Sequence, residues 1–182
     1  MIREGKTTKE PINARTGNLA STSNPETWCA FETAIQRSES WDGIGFVFTE
    51  ADPFVGIDLD GCRDLESGQI EEWARVLIES FDTYTEVSPS GSGVKLFGRG
   101  SLSAAAWHKI NLRNAPSHGG KQAAIEVYDR GRFFTVTGDA LESSSTEVVT
   151  VQEALDALEA SYARPKAMAA PRPAVALEID DH

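Results

Sequence analysis

Residues 54–60 read Phe-Val-Gly-Ile-Asp-Leu-Asp, and the rest of the chain is interpreted from this alternating stretch. Successive side chains of a β-strand point to opposite faces, so Ile57 and Leu59 would face a core. Asp58 and Asp60 would then point together the other way. Two carboxylates about 7 Å apart on one strand face repel unless a cation lies between them. The stretch predicts a strand with a candidate cation-binding face, and two solvated acids at a strand end are the alternative.

The segments around this strand predict the fold class. Residues 44–48 also alternate, and the Asp52-Pro53 turn that follows them predicts an antiparallel hairpin with residues 54–60. Between residues 70 and 81, apolar side chains recur at helical spacing and form one continuous stripe. Further strands are predicted at 84–87, 94–97, 125–128 and 132–137, the last two as a second hairpin. Because helices and antiparallel hairpins are interleaved, we expect an α/β fold of the mixed α+β type.

Length and composition limit the domain organisation. The chain has 182 residues, of which 40% are hydrophobic, and its formal net charge is −11. We expect one domain over residues 1–160 and a disordered Pro- and Ala-rich tail over 161–182. The polar start and the two widely spaced cysteines exclude a secretory signal, a disulfide framework and a structural zinc site, which favours a cytoplasmic protein. The acidic balance argues at first against a nucleic-acid partner, and a solvated acidic surface explains it equally well.

A Ser- and Gly-rich loop precedes the strand at 94–97. Residues 88–95 read Ser-Pro-Ser-Gly-Ser-Gly-Val-Lys. Backbone N–H groups of such a loop can approach an anion, and Lys95 adds a positive charge that we expect at the edge of a cleft. The pattern does not match the P-loop motif. A polar turn before a strand is the alternative.

A lone acid, Glu126, interrupts the apolar strand at 125–128. Together with Tyr128 it would face away from Ile125 and Val127. A strand face in contact with solvent explains this pattern alone. Combined with Asp58, Asp60 and Lys95, it makes a set of three carboxylates and one cation, which suits two-metal nucleotidyl transfer. We expect the carboxylates to lie within about 4–7 Å of one another.

Four segments in order carry a resemblance to a known family. They are residues 8–28, TKEPINARTGNLASTSNPETW; 41–64, WDGIGFVFTEADPFVGIDLDGCRD; 84–100, YTEVSPSGSGVKLFGRG; and 125–138, IEVYDRGRFFTVTG. Over about residues 6–140 the chain resembles the catalytic core of the archaeo-eukaryotic primase superfamily, in particular its virus- and plasmid-type DNA primase–polymerases. The resemblance implies an RRM-like sheet that carries the acids, packed on a second small α/β module. Either the family's first strand would be missing, or the start of the chain is misassigned.

The resemblance also implies roles for individual residues. Asp58, Asp60 and Glu126 would bind two Mg²⁺ or Mn²⁺ ions and form the catalytic site. Lys95 stands where the family has a His that contacts the nucleotide phosphates, which keeps a cation but loses the imidazole contact. The remaining nucleotide-binding candidates are Ser88, Ser90, Gly91, Ser92, Gly93 and Arg132. The nucleic-acid-binding candidates are Lys6, Lys9 and Arg15, and a merely solvated basic loop is their alternative.

The implied function is metal-dependent nucleotidyl transfer. The chain would make or extend DNA or RNA primers from nucleoside triphosphates on a single-stranded DNA template, with a helicase on a separate chain as a further partner. A catalytically inactive nucleic-acid-binding module that recruits a helicase or another partner is one alternative. A metal-dependent phosphoesterase is another, and it would need a water-activating His near the acids. Replication of a mobile element, repair and defence all remain open as biological roles.

Overall fold

The computed structural model describes residues 2–3, 6–7, 9–104 and 106–162, with side chains from residue 9 onward. These residues form a mixed α/β fold, as the sequence predicts. The helices are α1 (Phe31–Arg37), α2 (Glu72–Phe81) and α3 (Gln152–Tyr162). The strands are β1 (Ile2–Arg3), β2 (Lys6–Thr7), β3 (Ile44–Phe48), β4 (Phe54–Asp60), β5 (Thr85–Val87), β6 (Val94–Arg99), β7 (Lys109–Asn111), β8 (Ala124–Tyr128) and β9 (Arg132–Val136).

A five-stranded antiparallel sheet is the centre of the molecule. Its strand order is β5-β6-β4-β8-β7, so β4 lies in the middle and is paired on both edges. Helix α2 connects β4 to β5, and β6 then returns beside β4. This βαββ arrangement with β8 on the other side of β4 agrees with the RRM-like sheet that the resemblance implies.

One face of this sheet forms the main hydrophobic core. Val55, Ile57 and Leu59 of β4 are fully buried there against α2 and α3. The apolar stripe predicted between residues 70 and 81 is confirmed as the buried side of α2, and it contributes Ala74 and Ile78. The opposite face of β4 carries Gly56, Asp58 and Asp60, as the alternation of the strand requires.

A second, two-stranded sheet covers part of this opposite face. It pairs β3 with β9, and Phe48 and Phe134 from its two strands meet edge to face, with ring centroids 5.0 Å apart. Both rings lie directly over Gly56: a Cβ atom added there would be 2.4 Å from Phe48 Cζ and 2.5 Å from Phe134 Cε2. The missing side chain at position 56 is therefore what lets the two sheets approach.

Both predicted hairpins are wrong. β3 pairs with β9 and β4 pairs with β8, so each short turn carries the chain from one sheet to the other. A hairpin would place Phe48 beside β4 in the same sheet, whereas stacking places its ring over β4, where it is fully buried. Arg130 connects the two crossing turns by pairing with Glu50 and Asp129.

Of two further segments, one differs from the structure that its sequence predicts and the other lies largely outside the described residues. Residues 98–122, whose Gly-, Ser-, Ala- and Asn-rich composition predicts an irregular loop, contain the edge strand β7. Helix α3 ends at Tyr162, and residues 163–182 of the predicted tail lie outside the described residues. In the part of the chain that the structure describes, no helix is long and apolar enough to cross a membrane.

The close approach at Gly56 makes a stability prediction. Gly56→Ala should lower the free energy of unfolding by about 1–3 kcal/mol, since the added methyl group must displace two packed phenyl rings. Urea unfolding followed by circular dichroism measures this. Gly100→Ala is the matched control, because the nearest atom to its Cβ would be Gln152 Oε1 at 3.0 Å, and Leu155 and Val55 would lie at ordinary contact distances of 3.5 and 3.7 Å. Equal stability of the two variants would contradict the packing argument.

Candidate active site

Five charged residues lie in register across the large sheet. In the order of the strands they are Glu86, Lys95, Asp58, Glu126 and Lys109, each the Cα partner of the next. Side chains directly opposite each other on neighbouring strands are about 5 Å apart at Cβ and share a face. The register therefore places Asp58 and Glu126 side by side, on the face that the main core does not use.

Lys95 forms a nearly buried ion pair with Asp58. Its Nζ lies 2.5 Å from Asp58 Oδ2, and the two side chains are 5% and 15% exposed. The ammonium group also lies 4.1 Å from the centre of the Phe134 ring, in cation–π contact. Burial raises the pKa of Asp58, and the positive charge of Lys95 opposes that shift. Lys95 thus lies inside the site, not at the edge of a cleft as the sequence analysis expects.

Asp58 Oδ1, the second oxygen of this carboxylate, is buried and has no hydrogen-bond partner among the described residues. A buried carboxylate oxygen without a donor is costly unless a cation or water occupies the adjoining space. Carboxylate oxygens are also the ligands that Mg²⁺ and Mn²⁺ prefer. The Asp58 carboxylate therefore has the chemistry to bind one of the metal ions that the resemblance implies.

Glu126 is held by three donors. Lys109 Nζ lies 2.5 Å from Oε1, while the Tyr128 hydroxyl donates to Oε2 at 3.0 Å and Arg132 approaches the same oxygen at 3.4 Å. Burial, and then the charge of Glu126, raise the pKa of Tyr128 to about 12, so its hydroxyl stays protonated at neutral pH. The Arg132 guanidinium also lies 4.8 Å from the centre of the Tyr128 ring. These contacts orient the third carboxylate.

Asp60 is paired with a lysine from the segment between β7 and β8. Lys121 Nζ lies 3.1 Å from Asp60 Oδ1 and 3.2 Å from Ser90 Oγ, so it connects the acids to the Ser/Gly loop. Lys9 belongs to the same neighbourhood. Its pKa is lowered by partial desolvation and then by the charge of Lys95, with Asp58 acting in the opposite direction.

The Ser/Gly loop is a compact turn between β5 and β6. The Ser88 amide donates to the Gly93 carbonyl at 2.9 Å and the Gly91 amide to the Ser88 carbonyl at 2.8 Å, so neither is free to bind an anion. Gly93 lies against β4, where a Cβ would be 2.6 Å from the Leu59 carbonyl oxygen. Ser88 and Ser92 are buried, and the exposed hydroxyl is that of Ser90, next to Lys121.

The remaining predicted residues are placed as follows. Arg15 lies in an exposed turn, where its amide donates to Asn13 Oδ1 at 2.9 Å. The side chain of Lys6 lies outside the described residues. In the described part of the chain, no three His, Cys, Asp or Glu side chains converge closely enough to hold a metal ion. Each of the three candidate carboxylates instead faces a lysine.

Sequence reasoning missed Lys109 and Lys121, which pair with Glu126 and Asp60. Both come from the segment 98–122, which has no clear periodicity to orient its side chains. It also overlooked Glu86, which is fully buried and accepts hydrogen bonds from the Thr137 and Gly138 amides at 2.9 and 3.0 Å. The opposite charges of Lys95 and Asp58 indicate that the two residues pair across neighbouring strands, but this signal can be used only when the strand register is known.

The Lys95–Asp58 pair makes the second prediction. Repulsion among the carboxylates alone suggests that Asp58→Asn leaves the metal-free protein as stable as the wild type or slightly more so. The structure reverses this expectation: the substitution leaves Lys95 buried without its partner and should cost about 3–5 kcal/mol of unfolding free energy. The double variant Asp58→Asn, Lys95→Met removes both charges and should recover most of that loss.

Urea unfolding in the presence of a chelator measures both effects. Asp60→Asn is the control, because its partner Lys121 is 42% exposed and the pair should contribute less than about 1 kcal/mol. An Asp58→Asn variant as stable as the Asp60→Asn variant would show that the buried pair does not contribute as argued.

Two comparisons with known proteins bear on the family of this chain. No family model matches the chain. A DNA primase-polymerase of the Nitratiruptor phage NrS-1 is 35% identical to it over 142 residues, which cover 77% of this chain and 19% of the phage protein. The chain thus spans about a fifth of the length of that relative. This similarity, which extends over most of the chain, supports a primase–polymerase family for it.

Proposed function

We propose that this chain is a metal-dependent nucleotidyltransferase that makes or extends primers on a single-stranded DNA template. The phage relative is a DNA primase-polymerase by name, and the similar region is a small part of that longer protein. Activity, substrates and partners are therefore proposals for this chain. The observation that supports these proposals is the register of β4 and β8, which aligns Asp58 with Glu126 on the same face as Asp60.

Asp58, Asp60 and Glu126 would hold Mg²⁺ or Mn²⁺. The bound ions would supply Lewis-acid activation of the attacking hydroxyl and neutralise charge on the phosphates. The chain's own part is to present oxygen ligands in fixed positions. Tyr128, Arg132 and Lys109 orient Glu126. Asp58 Oδ1 has no hydrogen-bond partner among the described residues and is therefore available as a ligand. Positioning and electrostatics account for most of the catalysis in reactions of this class.

The cations around the acids suit a nucleoside triphosphate and a nucleic-acid strand. Lys121 and the Ser90 hydroxyl lie together next to Asp60, and the exposed part of Arg132 lies on the other side of the carboxylates. Metal ions bound to Asp60 and Glu126 would leave their paired lysines, Lys121 and Lys109, free to bind phosphate. We assign Lys121 the main triphosphate contact, and Lys95 the neutralisation of Asp58. A helicase on a separate chain remains a proposed partner.

One observation favours the inactive nucleic-acid-binding module as a second candidate. Lys95 occupies Asp58 directly, with Nζ 2.5 Å from Oδ2, at the position where the family has a His. A buried cation paired with a metal ligand competes with the metal for that ligand. The two candidates differ in one measurement, namely nucleotide incorporation by the wild-type chain.

The third prediction tests catalysis. With Mn²⁺, nucleoside triphosphates and a labelled primer on a single-stranded template, the wild type should extend the primer, and Asp60→Ala should abolish turnover because the metal stabilises mainly the transition state. Glu79→Gln removes an exposed acid from α2, on the other side of the sheet, and should retain activity. The assay is run at low and high salt because the chain is acidic overall. A wild type that binds single-stranded DNA but incorporates nothing under either condition would support the inactive module instead.

The fourth prediction concerns the triphosphate contact. Lys121→Ala should raise the KM for nucleotide about 10- to 150-fold, the equivalent of losing one charge-assisted hydrogen bond. Arg113→Ala removes the same charge from an exposed position of the same segment and should change KM little. Steady-state extension kinetics at saturating Mn²⁺ separate the two variants. An unchanged KM in Lys121→Ala would show that other cations make the main contact with the triphosphate.

A further inference from the structure

His108 lies beside the carboxylate site and is not used by any role assigned so far. Its ring is stacked on that of Tyr128, with centroids 5.5 Å apart and an interplanar angle of 4°. Tyr128 in turn donates to Glu126. One aromatic ring therefore separates an exposed imidazole from a candidate metal ligand.

The orientation of this imidazole is fixed by a second contact. Nδ1 lies 3.1 Å from the carbonyl oxygen of Val127, and because a carbonyl only accepts, Nδ1 carries the proton in this contact. The backbone on both sides is also held, since the Val127 amide donates to the His108 carbonyl and the next residue, Lys109, begins β7. The ring is thus held in place along one edge and one face, while the residue as a whole remains exposed.

The stack and the hydrogen bond restrict a ring that is otherwise exposed. A solvated side chain has no need of a parallel stack, and here the stack and the hydrogen bond together cost the rotamer freedom that solvent exposure normally leaves. A planar ring whose conformation is already fixed can stack a second flat ring at little further entropy cost. The adjoining Lys109, with a side chain 47% exposed, places a cation beside the same surface.

We propose that His108 is a stacking platform for a nucleobase beside the carboxylate site. The ligand class is the flat ring of a base, carried either by the nucleic-acid strand or by the incoming nucleoside triphosphate. Base stacking on aromatic side chains tolerates every sequence, which suits a protein that must accept any template. The inference rests on the proposed function for the identity of its ligand, but it concerns binding and not the chemical step.

The test uses 2-aminopurine, a base whose fluorescence is quenched when it stacks. One probe is an oligothymidylate with a single 2-aminopurine, and the other is 2-aminopurine deoxyriboside triphosphate with Mn²⁺. His108→Ala should weaken binding of at least one probe about 5- to 150-fold, the factor that corresponds to losing one stacked base, and should abolish its quenching. His108→Phe keeps a flat ring on Tyr128 and should retain affinity within about threefold.

The outcomes separate the alternatives. If His108→Ala loses affinity for the oligonucleotide alone, the platform binds a base of the nucleic-acid strand. If it loses affinity for the triphosphate alone, the platform binds the base of the incoming nucleotide. Wild-type affinity and quenching for both probes in His108→Ala, or an equal loss in His108→Phe, would overturn the proposal. Primer extension by the wild type tests the proposed function separately. A wild type that stacks the probe but incorporates no nucleotide would refute the proposed function and leave the stacking proposal intact. Because His108 is exposed, both variants should fold, which circular dichroism checks.

Discussion

Strand β4 is confined on all sides, and the rest of the structure depends on this confinement. It is hydrogen-bonded along both edges, to β6 and β8, and packed on both faces, by α2 and α3 on one and by Phe48 and Phe134 on the other. A strand in this position cannot slip by one residue without moving its acids into the apolar core. The same constraint that stabilises the fold therefore determines where the carboxylates lie. Gly56 is essential to it, because the aromatic layer reaches the strand only where no side chain intervenes.

The confinement has an electrostatic cost that the surrounding cations offset. Asp58 and Glu126 are neighbours on adjacent strands, and Asp60 follows on the same face, in a site that water reaches only in part. Each carboxylate has its own lysine, one from β6 and two from the segment 98–122. The overall charge of −11 therefore says little about the site, where acidic and basic groups are nearly balanced. A phosphate-bearing ligand meets local cations and not the average charge of the surface.

Periodicity in the sequence predicted the elements but not their pairing. The helix α2 follows from its apolar stripe, and the opposite orientations of Asp58 and Ile57 follow from strand geometry alone. The hairpins failed because a short turn such as Asp52-Pro53 limits the distance between two strands without deciding whether they pair or stack. The decisive contact, two phenyl rings over Gly56, joins residues far apart in the sequence. The positions of Lys109, Lys121 and His108 were beyond prediction for the same reason, since tertiary packing places them.

The exchanged pairing of β3 with β9 and of β4 with β8 also constrains the order of folding. β3 ends at Phe48 and its partner begins at Arg132, so most of the domain lies between them in the sequence. Such pairings give a high contact order, and the loop-closure entropy must be paid before any contact between the two sheets forms. During synthesis, β3 and the edge of β4 that pairs with β8 leave the ribosome long before β8 and β9, and they remain unpaired until those strands follow. The nascent chain consequently carries aggregation-prone strand edges until nearly the whole domain has left the ribosome.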